Sequence, residues 1–534
     1  MLIIVIDLVG GRFLFIFANC IYRETDMSAK KTIVALFFSV ITLCASAQYY
    51  PQAETPNMRN IFPGPPSNYD TRFSVDVKHY FDGKLVQTGD PLRAEQIRSD
   101  AVYGTSNLAS IYGGVLGFTV SSSTTPGLWQ MISQGTTTSA YASDKVKNFY
   151  VRMRPASRFY EAPYSTETLS EMRRTYSYPS SHTITGWATG MIVAAVAPHF
   201  QDTILARARE YGRSRVLGGM HWQSDVDDAY LIASVSVAHM LNTATFNTHL
   251  ASTRNQINQT LLDSLGIEAP DYDDADYFSA ANMPNAALYL AAPPEIGQNT
   301  PEFAHDMSQY LWGKNLRDSE RGEKAKYDTS SDYDIMVYEF ARAFGEPIEP
   351  DHTPKILELL ETAAAISDNG CVSARDAYDR VRPYEFFHEE PFTVETMPEE
   401  SSFPSAHAAR AWTTAMLLTA IKPAAQDTIM KVGYELGQSS VIAGISWQSD
   451  VDAARMVACA TLSRMMSNPN MVALINEAKE EYVQVSHQLV TDSDDISIDY
   501  KPEDKGEKLY TIDGRTATSE SRGILVGKGR KVVK

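Results

Sequence analysis

The hexapeptide WQSDVD runs from Trp222 to Asp227 and again from Trp447 to Asp452, an offset of 225 residues. The same offset relates PSSH (Pro179 to His182) to PSAH (Pro404 to His407). Further upstream, VRMRP (Val151 to Pro155) faces RVRP (Arg380 to Pro383) and Thr125-Pro126 faces Thr353-Pro354, both 228 apart. Asp76, Tyr80, Gly83 and Lys84 recur as Asp306, Tyr310, Gly313 and Lys314, 230 apart, so small insertions separate the blocks without changing their order. A fixed-order repeat of this length is a tandem duplication of a domain. The first copy is expected at about 57–257 and the second at about 287–482, joined by an acidic linker (258–286) that contains APDYDDADYF, and followed by a polar tail (483–534). The end of the tail, from Leu509 to Lys534, resembles the short C-terminal tail, in places a hairpin, of many exported proteins of Gram-negative gut and oral bacteria.

Within each copy the pattern is helical. GWATGMIVAAVA (Gly186 to Ala197) and DAYLIASVSVAHML (Asp228 to Leu241) are long apolar stretches without hairpin signals. TPGLWQMI, AEQIRSDAVYG and DTILARAREYG carry apolar residues at helical spacing, and Pro155, Pro179 and Pro198 mark helix ends or loops. The expected fold is all-α, two tandem helical bundles paired within one chain much as two subunits would pair.

Composition narrows the function. The chain has 534 residues, 44% hydrophobic and 21% charged, without the bias of a disordered or fibrous protein. Its net charge of −18 opposes binding to nucleic acid or anionic membranes except at a local basic pocket. Lys30 and Lys31, the apolar run from Thr32 to Leu43 and then Ala45-Ser46-Ala47 have the order of a cleavable signal. Residues 1–47 are therefore expected to be removed after Ala47, with Met27 the natural start of that signal. The bulky Leu43 before Cys44 argues against a lipoprotein. Export to the periplasm or cell surface follows, and no later apolar run is long enough to span a bilayer. Cys371 and Cys459 remain, enough for one bridge or two buried thiols but not for a disulfide framework.

Three blocks of the first copy carry chemistry: Lys147 with Arg154-Pro155; Pro179-Ser180-Ser181-His182; and Ser214-Arg215 with His221 and Asp225. Lys147, Arg154 and Arg215 are the fixed cations a phosphoryl group requires as its oxygens gain charge. Ser180 precedes an apolar run, so it is expected to cap a helix whose amino end receives an anion. His221 and Asp225, four apart, are expected to share a helix face, the carboxylate orienting an imidazole that attacks phosphorus. His182 then protonates the leaving alkoxide and later activates water. Three neighbouring cations oppose a bound metal ion, so no metal or other cofactor is expected.

These blocks, K-x6-RP, PSGH and SR-x5-H-x3-D, resemble the signature of the type 2 phosphatidic acid phosphatase superfamily, which includes bacterial class A nonspecific acid phosphatases and vanadium-dependent haloperoxidases. SYPSSHT (Ser177 to Thr183) and the stretch from Pro293 to Asp328 are most similar to the class A enzymes. The resemblance implies an all-helical fold, a phosphohistidine on His221, acid phosphatase activity on small phosphorylated substrates, and vanadate as an inhibitor. Haloperoxidase chemistry, with vanadate as cofactor, and action on lipid phosphates or diphosphates are the alternatives. Ser181 departs from the glycine of the motif, which would strain any backbone that needs φ > 0, but its N–H can still bind phosphate and a tolerated substitution is expected. The second copy departs further. Arg375 replaces the lysine, Ser440 the second arginine and Ser446 the attacking histidine, while Arg382, Ser405, His407 and Asp450 remain. It is expected to be an inactive scaffold, with weak anion affinity left open.

Overall fold

The computed structural model describes residues 48–396 and 400–495 and the strand residues 510–511, 524–527 and 530–533. The expected signal segment, 1–47, lies outside the described residues. Six long helices make up the first repeat: α1 (Thr71–Gly89), α2 (Pro126–Tyr150), α3 (Ser181–Val196), α4 (Gln201–Leu217), α5 (Gln223–Asn242) and α6 (Ala244–Leu265). The second repeats them in order: α7 (Pro301–Leu316), α8 (Pro354–Tyr378), α9 (Ala406–Ile421), α10 (Gln426–Ala443), α11 (Gln448–Ser467) and α12 (Pro469–Asp495). Proline opens α2, α7 and α8 at the first turn, where its missing N–H costs no intrahelical bond. Ser180 caps α3 by accepting from Thr183 N, and Ser405 caps α9 by accepting from Ala408 N.

Helices α3 and α9 are apolar nearly all round because each is the centre of its bundle. In the first repeat α3 is wrapped by α2, α4 and α5, and in the second α9 is wrapped by α8, α10 and α11. No helix among the described residues is long and apolar enough to cross a membrane. Where α1 crosses α4, a Cβ on Gly83 would stand 2.6 Å from Leu217 O, and on Gly313 one would stand 2.8 Å from Ile442 Cα. The recurring glycine is therefore a helix-contact residue.

The two bundles are not separate bodies. The two repeats lie in one compact unit that begins at Tyr49, and its core, from Tyr49 to Ala478, draws on both. The contact is reciprocal, with α5 on α9, α11 on α3 and α1 against α7. Trp412 Nε1 donates to Ser234 Oγ at 3.2 Å, and Thr71 Oγ1 lies 2.8 Å from His305 Nδ1.

Three expected boundaries shift. The first repeat was expected to end at 257, but α6 runs to Leu265, because Ile257 and Leu261 are buried and its left-handed stop is Gly266. It was also expected to begin near 57, yet Tyr49 and Tyr50 are already core residues, Tyr50 stacking on His239 at 3.9 Å. At the other end α12 continues to Asp495, beyond the expected limit of 482. The tail holds a small antiparallel sheet, β1 (Tyr510–Thr511), β2 (Ile524–Gly527) and β3 (Arg530–Val533), with Ile524 opposite Val533. Cys371 and Cys459 are buried free thiols.

Candidate active site

Each block of the first repeat sits at a helix end, and those ends meet. Lys147 is in the last turn of α2, and Arg154 caps the short helix Pro155–Phe159. Ser180 caps α3, Ser181 and His182 open its first turn, and Arg215 lies in the last turn of α4. The chain then turns through His221 into α5, where Asp225 is the third residue.

The expectation that His221 and Asp225 share a helix face needs correction. His221 precedes the helix, whose cap is Trp222, and Asp225 reaches back to accept from Trp222 N at 2.8 Å. The same capping carboxylate places its Oδ2 3.5 Å from His221 Nδ1. The opposite ring nitrogen, Nε2, lies 2.8 Å from Arg154 Nη1, a permanent donor, so Nε2 accepts and the ring proton resides on Nδ1 facing Asp225. In that tautomer the Nε2 electron pair faces the site and is held there by the Arg154 hydrogen bond. Burial, then the Arg154 charge, hold the His221 pKa well below its usual value. Burial also raises the Asp225 carboxyl, but Arg152, His221 and Ser177 outweigh it and keep the group well below the ordinary carboxylate range.

Arg215 is 1% exposed, and its Nε and Nη1 have no protein partner among the described residues, Nη2 alone reaching Glu167 Oε2 at 3.1 Å. A buried guanidinium with unfilled donors is unusual and marks a place for an anion. Arg154 donates to Met220 O at 2.8 Å and, through Nε, to Thr175 Oγ1 at 2.9 Å. Burial and the neighbouring Arg215 lower its pKa to about 10. Lys147 Nζ donates to Pro179 O at 2.5 Å, and burial together with Arg154 pushes its pKa down to about 7. Its charge is thus present below pH 7 and lost above it in the empty site. The free-enzyme profile of kcat/KM should fall above about pH 7, and Lys147→Arg should move that limb to higher pH; an unmoved limb would assign it to another group.

His182 Nε2 lies 3.1 Å from Ala101 O, and its ring is 4.7 Å from that of Tyr103. Burial, then Arg215, hold it well below its usual pKa, so in the empty site it is neutral. Ser181 takes helical dihedrals, not φ > 0, and its hydroxyl donates to Ser143 Oγ at 2.9 Å, so the side chain is accommodated without backbone strain.

Arg152, which lies between Lys147 and Arg154 but outside the expected site, is a buried bridge. Its Nη1 meets Asp225 Oδ1 at 2.5 Å and Ser224 Oγ at 2.8 Å, and its Nη2 meets Asp76 Oδ2 at 2.6 Å. Ser177 Oγ donates to the other oxygen of Asp225. The signal was present in the sequence, since both Arg152 and Asp76 recur in the second repeat. There Arg380 joins Asp450 at 2.5 Å to Asp306 at 2.8 Å, and Trp447 N donates to Asp450 Oδ2 at 2.7 Å. The clamp survives in a repeat with no attacking histidine, so its first duty is to build the helix start.

The other second-repeat residues occupy matching places: Arg375 in the last turn of α8, Arg382 capping Pro383–Phe386, Ser405 capping α9, His407 in its first turn, Ser440 near the end of α10 and Ser446 in the turn before α11. Ser446 is buried where His221 stands in the first repeat. A cavity of about 610 Å³ between the repeats, lined by Arg72, Asp227, Asp228 and Asp452 among others, includes none of the expected site residues.

The PAP2 superfamily matches this chain twice, over residues 128–249 and 358–472. A non-specific acid phosphatase of Providencia stuartii is 37% identical over 218 residues, 40% of this chain and 86% of that protein. A non-specific acid phosphatase of Salmonella typhimurium is 31% identical over 227 residues, 42% of this chain and 89% of that protein. An acid phosphatase of Zymomonas mobilis is 31% identical over 198 residues, 36% of this chain and 74% of that protein.

Proposed function

Since the chain belongs to the PAP2 superfamily and the relatives it is similar to are named acid phosphatases, we propose that its first repeat is an acid phosphatase, a phosphoric monoester hydrolase that works through a phosphohistidine on His221. The observation that carries this reading is the buried, under-filled guanidinium of Arg215 in the same site as an imidazole whose Nε2 accepts a hydrogen bond. A phosphate dianion fills the donors of Arg215, Arg154 and Lys147 and the amino end of α3. Arg154 Nη1 transfers its bond from His221 Nε2 to a phosphoryl oxygen, which frees the electron pair to attack phosphorus in line with the ester oxygen. Asp225 holds the Nδ1 proton and stabilises the positive ring that forms.

The departing alkoxide takes its proton from His182. That ring is neutral in the empty site because burial disfavours its charged form and, beyond burial, the two guanidinium groups of Arg215 and Arg154 repel its proton. The bound dianion offsets both, so proton uptake accompanies substrate binding and favours acidic conditions, under which the depressed His221 remains unprotonated. In the second half-reaction His182, now neutral, draws a proton from water as it attacks the phosphohistidine. No step calls on a metal or other cofactor. Export to the periplasm or cell surface completes the reading, since Lys30 to Ala47 has the order of a cleavable signal; amino-terminal sequencing of the mature chain tests it.

The two repeats act as an intrachain pseudo-dimer, the second supporting the first through the reciprocal packing of α5, α9, α11 and α3. Ser446→His should not awaken the second repeat, because Ser440 still lacks the guanidinium; hydrolysis appearing in Ser446→His combined with His221→Ala would contradict this. The reading as a whole is tested by release of phosphate from an aryl monoester beside oxidation of bromide by peroxide with added vanadate. Hydrolysis inhibited by vanadate is expected, and bromide oxidation without hydrolysis overturns the proposal.

A further inference from the structure

The second repeat keeps donors that nothing in the protein fills. Arg382 is 5% exposed; its Nη1 donates to Ile445 O at 2.8 Å, while its buried Nε has no partner among the described residues. Ser440 is fully buried and its Oγ is likewise without a partner there, as is the Nε of Arg375. These groups belong to one place. Ile445 N and Ser446 N both donate to Ser440 O, at 3.1 and 3.2 Å, so Ser440 lies against the turn that Arg382 grips. Ser405, the cap of the sixteen-residue helix α9, is tied to the same site by its N–H to Asp450 O at 3.1 Å.

The first repeat shows the same pattern at Arg215, and there the unfilled donors belong to the proposed phosphate cradle. Buried donors are satisfied in nearly all proteins, by the chain, by water or by a ligand. In the second repeat the partner that Arg154 finds in Thr175 is replaced by Glu400, which instead holds Arg375 Nη1 at 3.0 Å and leaves Arg382 Nε open.

We infer that the second repeat is a non-catalytic binding site for a tetrahedral oxyanion, inorganic phosphate in particular, held by Arg382, Arg375, Ser440 and the amino end of α9. Hydrolysis does not occur there because a hydroxyl, Ser446, stands where an imidazole is required. The site has two guanidinium groups in place of three cations, and one of them is shared with Glu400. Loss of one charge-assisted contact makes it about ten- to a hundredfold weaker for phosphate than the first repeat.

Equilibrium titration of the full-length chain with inorganic phosphate, followed by heat or by phosphorus resonance, tests this. Two binding events per chain are expected. Arg382→Gln should remove the weaker event and leave hydrolysis of an aryl phosphate by the first repeat unchanged, which also reports that the variant is folded. Arg375→Gln, at a partly exposed position, is made in parallel and should weaken the same event about tenfold. A single event per chain, or a second event that neither substitution weakens, overturns the inference. Two events sensitive to these substitutions in a chain without hydrolysis support it and count only against the chemistry proposed for the first repeat.

Discussion

Replacing His221 with Ala is expected to lower kcat for phosphate monoesters by about four orders of magnitude or more, because the group that forms the covalent bond is gone and no neighbour can take its place. The closest alternative, His182, has its Nε2 committed to Ala101 O and sits in the first turn of α3, not in the turn that presents His221. The fold should tolerate the change. Arg154 keeps Met220 O, and Asp225 keeps Arg152, Ser177 and Trp222 N. Thermal unfolding of the variant should therefore shift by only a few degrees, equivalent to about 1 kcal/mol. A folded variant that retained more than about a hundredth of the wild-type rate would mean that water attacks phosphorus directly.

Arg152→Ala is expected to act on stability first. It strands Asp76 and Asp225, 1% and 0% exposed, without the cation between them. Removing one partner from a buried ion pair costs about 3–5 kcal/mol, and here two carboxylates lose it. The sign with pH follows from Asp225, whose pKa in the fold lies below its ordinary value. Its stabilising contribution is present above the unfolded pKa of about 4 and disappears as pH falls through the lower folded value. The deficit of Arg152→Ala should thus be largest near neutrality and shrink in acid, as denaturant melts at several pH values can measure. A variant as stable as the wild type at pH 7 would show that the bridge contributes little.

Arg380→Ala makes the corresponding change in a repeat without an attacking histidine. A loss of similar size there would separate the structural duty of the clamp from any duty in turnover.

The three blocks were legible because they are local: each is a helix end with its cap, and the residues that cap a helix are also those that bind an anion at its amino end. Tertiary effects were harder to read. The His221–Asp225 spacing fits a helical turn, but a carboxylate at the third position of a helix also caps it, and Trp222 was free to take the cap. Arg152 lies outside the three blocks, and only its recurrence as Arg380 alongside Asp76 and Asp306 marks it as part of a buried bridge. Ser181 is legible as a tolerated substitution, because the position is the first residue of α3 and does not take the positive φ that would favour glycine. The domain limits were blurred because the repeats bury their apolar faces on each other, drawing Tyr50 into the core from before the first limit and carrying α6 past residue 257. Nothing in the sequence distinguished Arg382 from a residue satisfied within its own repeat.

The most direct measurement is rapid mixing of the full-length chain with a labelled phosphate monoester, quenching in alkali to preserve a phosphorus–nitrogen bond, and locating the label by peptide mapping. The label should appear on His221 alone, and none should appear in the His221→Ala variant. Steady turnover with no trapped label, or label on a residue of the second repeat, would contradict the account.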